Sequence, residues 1–280
     1  MAASDHIQIE RDGAVGVIRI ARAERFNSLD VATAQDLRRA GLQLARDETV
    51  RCVRLEGEPG VFCSGADLKY VRAGGDERDV AYLKPEGTPA DHGYGEVLKQ
   101  IVEYIHSTIS EIRRAPKPFV AVVDGVCAAG GFGLAMACDL VLVSERATFE
   151  WAYGKTGLTG AESATFFLPR LIGLRRTLEL VFLSPRLDAK RALDIGLVTA
   201  VHPVERLDAE AAELTRRLAE GPTEAFAVAK NLVNLAVGGD RLDVHLDEEL
   251  QSLARIADGK EFAEGLEGFV AKRPPRFGGR

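Results

Sequence analysis

The chain has 280 residues, 46% of them hydrophobic, which is enough for a full buried core, and a formal net charge of −6. The acidic balance excludes a general nucleic-acid binder, because Arg38-Arg39, Arg113-Arg114 and Arg175-Arg176 each lie near acids and form no long basic stripe. Four cysteines (Cys52, Cys63, Cys127, Cys138) lack CxxC spacing and read as small buried hydrophobes of a reducing compartment. With no signal-like apolar core over Met1 to Arg11, the expected location is the cytoplasm.

In chain order, His6 to Glu10 and Val15 to Ile20 flank Arg11-Asp12-Gly13 and read as a β-hairpin. Val31 to Arg46 reads as a helix with Leu37, Ala40, Gly41 and Leu44 inward and Asp30 or Ser28 as its cap. Val50 to Leu55 is an expected strand. Residues 72–95, rich in Gly, Asp and Pro, are expected to form a mobile loop or lid. Glu96 to Arg114 has a helical stripe of Ile101, Ile105, Ile109 and Ile112, stopped by Pro116 and Pro118. Phe119 to Val123, Leu140 to Val143 and Thr148 to Trp151 read as strands. Helical patterns then dominate: Arg175 to Leu183, Asp188 to Ile195, Leu207 to Ala219, Thr223 to Val237, Leu242 to Ala257 and Glu261 to Val270. Strand–helix alternation followed by helices predicts an α/β core over residues 1–200 and a helical C-terminal region over 201–280. The longest uncharged apolar stretch, between Asp124 and Asp139, is too short and glycine-rich to span a bilayer.

Chemistry concentrates in two loops. The strand Phe119–Val123 feeds a glycine turn, Gly125 to Gly131, that opens a helix near Gly130. A helix start leaves backbone N–H groups free, with the positive end of its dipole behind them, and glycine lets another molecule approach the main chain. Phe62-Cys63-Ser64-Gly65-Ala66-Asp67-Leu68 is a second donor loop of this sort after an apolar strand. Two such loops suit an oxyanion hole for a carbonyl or thioester. Other chemistries lack their motifs. Met136 breaks a GxGxxG fingerprint, Ser64 sits in no GxSxG elbow, and no HExxH, EF-hand or Walker A segment is present. The five histidines have no metal-ligand spacing, so no metal is expected.

Seven segments together carry a resemblance. They are Arg22-x-x-Arg25-Phe26-Asn27-Ser28-Leu29, Phe62 to Lys69, Lys117-Pro118-x-x-Ala121-x-x-Asp124-Gly125-x-x-x-x-Gly130-Gly131, Leu134-Ala135-x-x-Cys138-Asp139, Leu168 to Gly173, Ala192-Leu193-x-x-Gly196-Leu197-Val198, and Gly265-x-x-x-Phe269-x-x-Lys272-Arg273-x-Pro275-x-Phe277. In this order, over nearly the whole chain, they resemble the crotonase (enoyl-CoA hydratase/isomerase) superfamily. The resemblance implies a ClpP-like spiral of β-β-α turns with a helical trimerisation region, and hence a homotrimer or a dimer of trimers. It also implies an acyl-CoA substrate, with no cofactor beyond the coenzyme A moiety, and a thioester enolate held by the N–H groups of Ala66 and Gly130. Coenzyme A is then expected along Arg25, Ser64, Ala66, Asp67, Leu68, Lys69, Gly130 and Gly131, with Lys272 contributing.

The chain departs from the hydratase pattern at the two positions where hydratases carry glutamates, which are Gly133 and Tyr153 here, and neither supplies an acid or base at neutral pH. Phe149 to Gly173 is more similar to the aryl-CoA branch that includes 4-chlorobenzoyl-CoA dehalogenase. His106 falls at that branch's catalytic histidine and Tyr153 at an aromatic of its acyl pocket, while its nucleophilic aspartate falls at Ala161, with Glu162 next in the chain. Glu162, or else His106, is therefore the expected acid–base group. Three chemistries stay open at this point: isomerisation, atypical hydration, and hydrolysis of an activated thioester or ring. The alternatives are a non-catalytic acyl-CoA-binding protein and an aryl-CoA hydrolase or dehalogenase-like enzyme. Asp67 and Asp139 are expected to cap or brace loops.

Overall fold

The structure, a computed structural model, describes residues 6–76 and 93–277; most of the loop expected over 72–95 lies outside the described residues. Two antiparallel strands open the chain, β1 (Ile7–Asp12) and β2 (Val15–Ile20), as the turn at Gly13 predicts. Helix α1 (Val31–Arg46) follows, with the Asp30 carboxylate accepting from the Thr33 N–H at 2.8 Å. Three turns of one pattern come next. Strands β3 (Cys52–Gly57) and β4 (Val61–Cys63) lead to α2 (Leu68–Arg72) and α3 (Tyr94–Arg114). Strands β5 (Phe119–Val123) and β6 (Val126–Ala128) lead to α4 (Gly130–Ala137). Strands β7 (Leu140–Ser144) and β8 (Thr148–Glu150) lead to α5 (Ala164–Ile172) and α6 (Leu174–Leu183).

The first strand of each turn joins a six-stranded sheet, β1-β2-β3-β5-β7-β10, in which β10 is Ala200–His202. The second joins a four-stranded sheet, β4-β6-β8-β9, in which β9 is Leu187–Asp188. Between successive turns the strands pair in parallel. This is the expected β-β-α spiral. The central strand β5 is buried along its whole length, which explains its unbroken run of apolar residues.

The C-terminal helices are α7 (Ala189–Asp194), α8 (Val204–Glu220), α9 (Thr223–Ala236), α10 (Leu242–Ala257) and α11 (Lys260–Val270). Helix α10 turns Leu242, Leu246, Leu250, Leu253 and Ala257 inward, where they share one core with Ile101, Ile105 and Ile109 of α3. The Asp258 carboxylate accepts from the Gly95 N–H at 2.7 Å, tying the end of α10 to the start of α3. Helix α10 thus forms one wall of the spiral. Helix α9, by contrast, has no buried residue, and Val228, Leu232 and Val233 lie open to solvent, as do Phe182 and Leu183 of α6. Among the described residues no helix is long and apolar enough to cross a membrane.

Candidate active site

The two sequence-selected loops meet. Gly65 has φ +90°, and a Cβ there would stand 2.9 Å from the Gly130 nitrogen. A Cβ on Gly131 would stand 2.2 Å from the Cys63 carbonyl oxygen. Glycine at both positions lets the start of α4 lie against the end of β4. Next to Ala66, the Gly65 carbonyl accepts from Leu29 and the Asp67 N–H reaches the Leu29 carbonyl, while no described bond uses the Ala66 N–H. Gly130 is the first residue of α4, where a helix has no internal acceptor for the N–H. Neither N–H is spent on a described hydrogen bond.

Beside them lies a cavity of about 680 Å³. Of the residues expected to hold coenzyme A, it is lined by Arg25, Ser64, Ala66, Asp67, Leu68, Lys69 and Lys272, and the acyl-site candidates Tyr153 and Glu162 line it too. Gly130 and Gly131 are buried behind Ala129, which is the lining residue at the helix start. Asp67 braces this wall. Its carboxylate accepts from Lys69 and Tyr70 at the start of α2 and pairs with Arg25 at 2.6 Å and Arg22 at 3.2 Å. Burial opposes the charge of Asp67, but the Arg25 pairing outweighs it and keeps the carboxyl below its usual range. Asp139 also braces, accepting from the Phe119 N–H at 2.8 Å and pairing with Arg113 and Lys230.

The acid–base candidates form one buried cluster. Glu162 and Ser163 sit in the left-handed region, with φ 54° and 64°, a conformation that costs non-glycine residues about 1–3 kcal/mol each. Contacts from two helices hold them there. The Glu162 N–H donates to Nε2 of His106 on α3 at 3.1 Å, and the Ser163 N–H donates to Glu249 of α10 at 2.8 Å. The turn aims the Glu162 side chain at the start of α4: a Cβ on Gly130 would stand 2.9 Å from Glu162 Oε1. Its other oxygen, Oε2, accepts from the Tyr153 hydroxyl. Gly133 offers no room for a glutamate, since a Cβ there would stand 2.1 Å from the Glu162 carbonyl oxygen. A side chain at 133 and the present course of the Glu162 backbone thus exclude each other. His106 does not line the cavity; it is buried beneath Glu162. Its Nε2 also lies 3.4 Å from Glu249 Oε2. One ring nitrogen serves one partner at a time: without a hydrogen Nε2 accepts from the Glu162 N–H, and with one it donates to Glu249 instead.

Burial pushes the Glu162 carboxyl up to about 8; the Tyr153 hydrogen bond lowers it and the Glu249 charge adds to the rise. Burial and the neighbouring Glu162 raise the Tyr153 hydroxyl well above its usual value. Glu249 goes the other way. Burial opposes its charge, but contacts with His106, His245 and Thr165 outweigh that and hold it at about 2. Sequence reasoning missed Glu249, 86 residues from Ser163 in the chain. The only signal for it was its place beside the Leu246 and Leu250 stripe. Among the described residues no group of three His, Cys, Asp or Glu side chains is arranged to hold a metal ion.

The two carboxyls have opposite effects on stability. Between about pH 4.5 and 8 the folded chain keeps a proton on Glu162 that the unfolded chain has released. That contribution is complete below about 4.5 and is lost as pH rises through 8. Glu249 contributes above its unfolded value of 4.5 and loses the contribution as pH falls toward 2. Denaturant unfolding of wild type and Glu162→Gln at pH 6 and pH 8 is the check. The wild type's advantage over the variant should shrink by about 2 kcal/mol between the two.

Comparison with known proteins agrees with the fold and the cavity. The family model described as enoyl-CoA hydratase/isomerase matches residues 10–90 and 92–280. The chain is 31% identical to 1,2-epoxyphenylacetyl-CoA isomerase of Escherichia coli (strain K12) over 266 residues, 95% of each chain. It is 29% identical to 4-chlorobenzoyl coenzyme A dehalogenase-2 of Arthrobacter sp over 267 residues, 95% of this chain and 91% of the relative. A crystal structure of an enoyl-CoA hydratase from Mycobacterium avium subsp. paratuberculosis K-10 superimposes with a TM-score of 0.84 at 30% identity, covering 98% of this chain and 99% of that one. The crotonase fold, the lined cavity and a match along nearly the whole length place the chain in the enoyl-CoA hydratase/isomerase family, whose enzymes act on CoA thioesters.

Proposed function

We propose that the protein isomerises an acyl-CoA thioester, moving one proton through a single carboxyl, Glu162. The observation that carries this reading is the placement of Glu162: a buried carboxyl held near the start of α4, with its value raised to about 8. The thioester oxygen accepts from the N–H groups of Ala66 and Gly130, and these bonds strengthen as charge develops on it. Ionised Glu162 takes a proton from the acyl chain, giving the enolate and a neutral carboxylic acid. The acid returns the proton to a different carbon of the conjugated system, and the double bond shifts. Atoms balance with no water, metal or cofactor beyond the coenzyme A moiety. Tyr153 holds the carboxyl in place through Oε2. Lys69 and Lys272, both in the cavity lining, would meet the phosphates, and Asp67 fixes Arg25 in the same lining.

Hydration is disfavoured because a second acid has no room at Gly133 and Tyr153 stands at the other hydratase position. Displacement through a carboxylate nucleophile is disfavoured because Ala161, at the position where the aryl-CoA branch carries its aspartate, has no carboxylate. A purely acyl-CoA-binding role leaves the aimed carboxyl unexplained. The apolar faces on α6 and α9 support assembly as a homotrimer or a dimer of trimers, and the four buried free cysteines suit the cytoplasm. The test is a panel of 2-enoyl- and 3-enoyl-CoA esters in deuterated water. Interconversion of the two positional isomers, with deuterium entering the acyl chain, is expected to outrun hydration. Brisk hydration of crotonyl-CoA without isomer formation overturns the reading.

A further inference from the structure

We infer that Glu249, on α10 and outside the cavity lining, is a positioning residue that locks the Glu162–Ser163 turn and so aims the Glu162 carboxyl at Gly130. The inference rests on the acid–base reading of Glu162. Left to itself, a Glu-Ser pair does not stay in the left-handed region. Here the Ser163 N–H is bound at 2.8 Å by Glu249 Oε2, and the same oxygen lies 3.4 Å from the His106 ring that holds the Glu162 N–H. The other oxygen, Oε1, accepts from the Thr165 hydroxyl and lies 3.4 Å from His245 Nε2. Thr165 Oγ1 and His245 Nε2 are themselves 2.7 Å apart. Glu249 is buried, and its partners are Ser163 and Thr165 just after Glu162, His106 beneath Glu162, and His245 of its own helix, which itself bonds Thr165. A carboxylate buried merely to stabilise α10 would have no reason to bind backbone of the turn. Its fixed charge also acts on Glu162. The groups facing Glu162 are Tyr153 from the turn after β8, His106 from α3, Glu249 from α10 and the Cys63 thiol from β4. Of these, Glu249 is the one held as an anion at neutral pH.

The experiment follows the Glu162 carboxyl directly, by its infrared carbonyl band in the substrate-free protein, assigned through its loss in Glu162→Gln. Glu249→Gln keeps an acceptor for the Ser163 N–H and removes the charge. Glu249→Asp keeps the charge and withdraws it by one methylene. In Glu249→Gln the Glu162 titration should move down from about 8, because the one anion facing it is gone. In Glu249→Asp the titration should stay near 8 while kcat falls at least about tenfold and KM changes little. A Glu162 titration unchanged by Glu249→Gln, or wild-type kcat in Glu249→Asp, overturns the inference. If the titration moves as expected but the wild type turns over no CoA thioester, the positioning stands and the proposed function fails. If Glu249→Asp does not fold, Glu249→Gln alone decides through the titration.

Discussion

Glu162→Gln will lower kcat by roughly 10²–10⁴ while leaving KM within about threefold, because it removes the proton carrier and keeps the shape of the side chain. The amide oxygen of glutamine still accepts from the Tyr153 hydroxyl, so the turn and the cavity wall remain. What disappears is the group that changes charge during the reaction. The wild-type pH profile carries the matching signature. In the proposed mechanism Glu162 acts first as a base, so kcat/KM should rise with pH and level off above about 8, where the free enzyme has lost the proton. In Glu162→Gln this limb should vanish. Steady-state kinetics on the 3-enoyl-CoA substrate from pH 6 to 9.5 measures both effects. A folded Glu162→Gln with wild-type kcat removes Glu162 from the chemistry. His106→Ala is expected to do less than Glu162→Gln, because the ring is buried under the turn and reaches Glu162 only through its N–H.

How far such a site was legible beforehand differs from residue to residue. The two loops around Ala66 and Gly130 were readable as turns because glycine follows an apolar strand in each, and the structure brings them into contact. Helices Val31–Arg46 and Leu242–Ala257 match their expected bounds because each carries a regular apolar stripe, the first with a capping aspartate as well. Strands Val61–Cys63 and Val126–Ala128 were not readable. Three residues carry no period, and these form only because distant neighbours pair with them. Helix Ala164–Ile172, with Pro169 inside it, was likewise hidden. The Glu162–Ser163 turn is the instructive miss. No local signal puts two L-residues at positive φ; His106 and Glu249 do so from other helices, against local preference. The sequence placed a carboxylate near the pocket at Glu162, but its raised value depends on burial and on Glu249, which only the packed chain supplies.

Gly130→Pro should cost a further factor of about 10²–10³ in kcat beyond Gly130→Ala, and it is the difference between the two variants that matters. A Cβ on Gly130 would stand 2.9 Å from Glu162 Oε1 and 3.0 Å from its Cδ, so either substitution pushes the carboxyl aside. Proline alone would therefore confuse a displaced base with a lost donor. Alanine reproduces the push and keeps the N–H; proline adds the loss of the N–H. The first position of a helix accepts proline well, since its N–H has no partner within the helix. With the shared displacement divided out, the remaining rate ratio reports the Gly130 N–H. A ratio of about 10²–10³ equals roughly 3–4 kcal/mol of transition-state stabilisation, the usual worth of one preorganised donor on a developing oxyanion. The effect should fall on kcat rather than KM, because the ground-state carbonyl carries little charge and gains little from the bond. Activity should not vanish, since the proposed hole keeps its other donor, the Ala66 N–H. Thermal melts of both variants come first, to show that the start of α4 still packs on β4. If both are folded and equally active, the Gly130 N–H holds no oxyanion, and the charge that develops on the thioester must be met by Ala66 and the dipole of α4 alone.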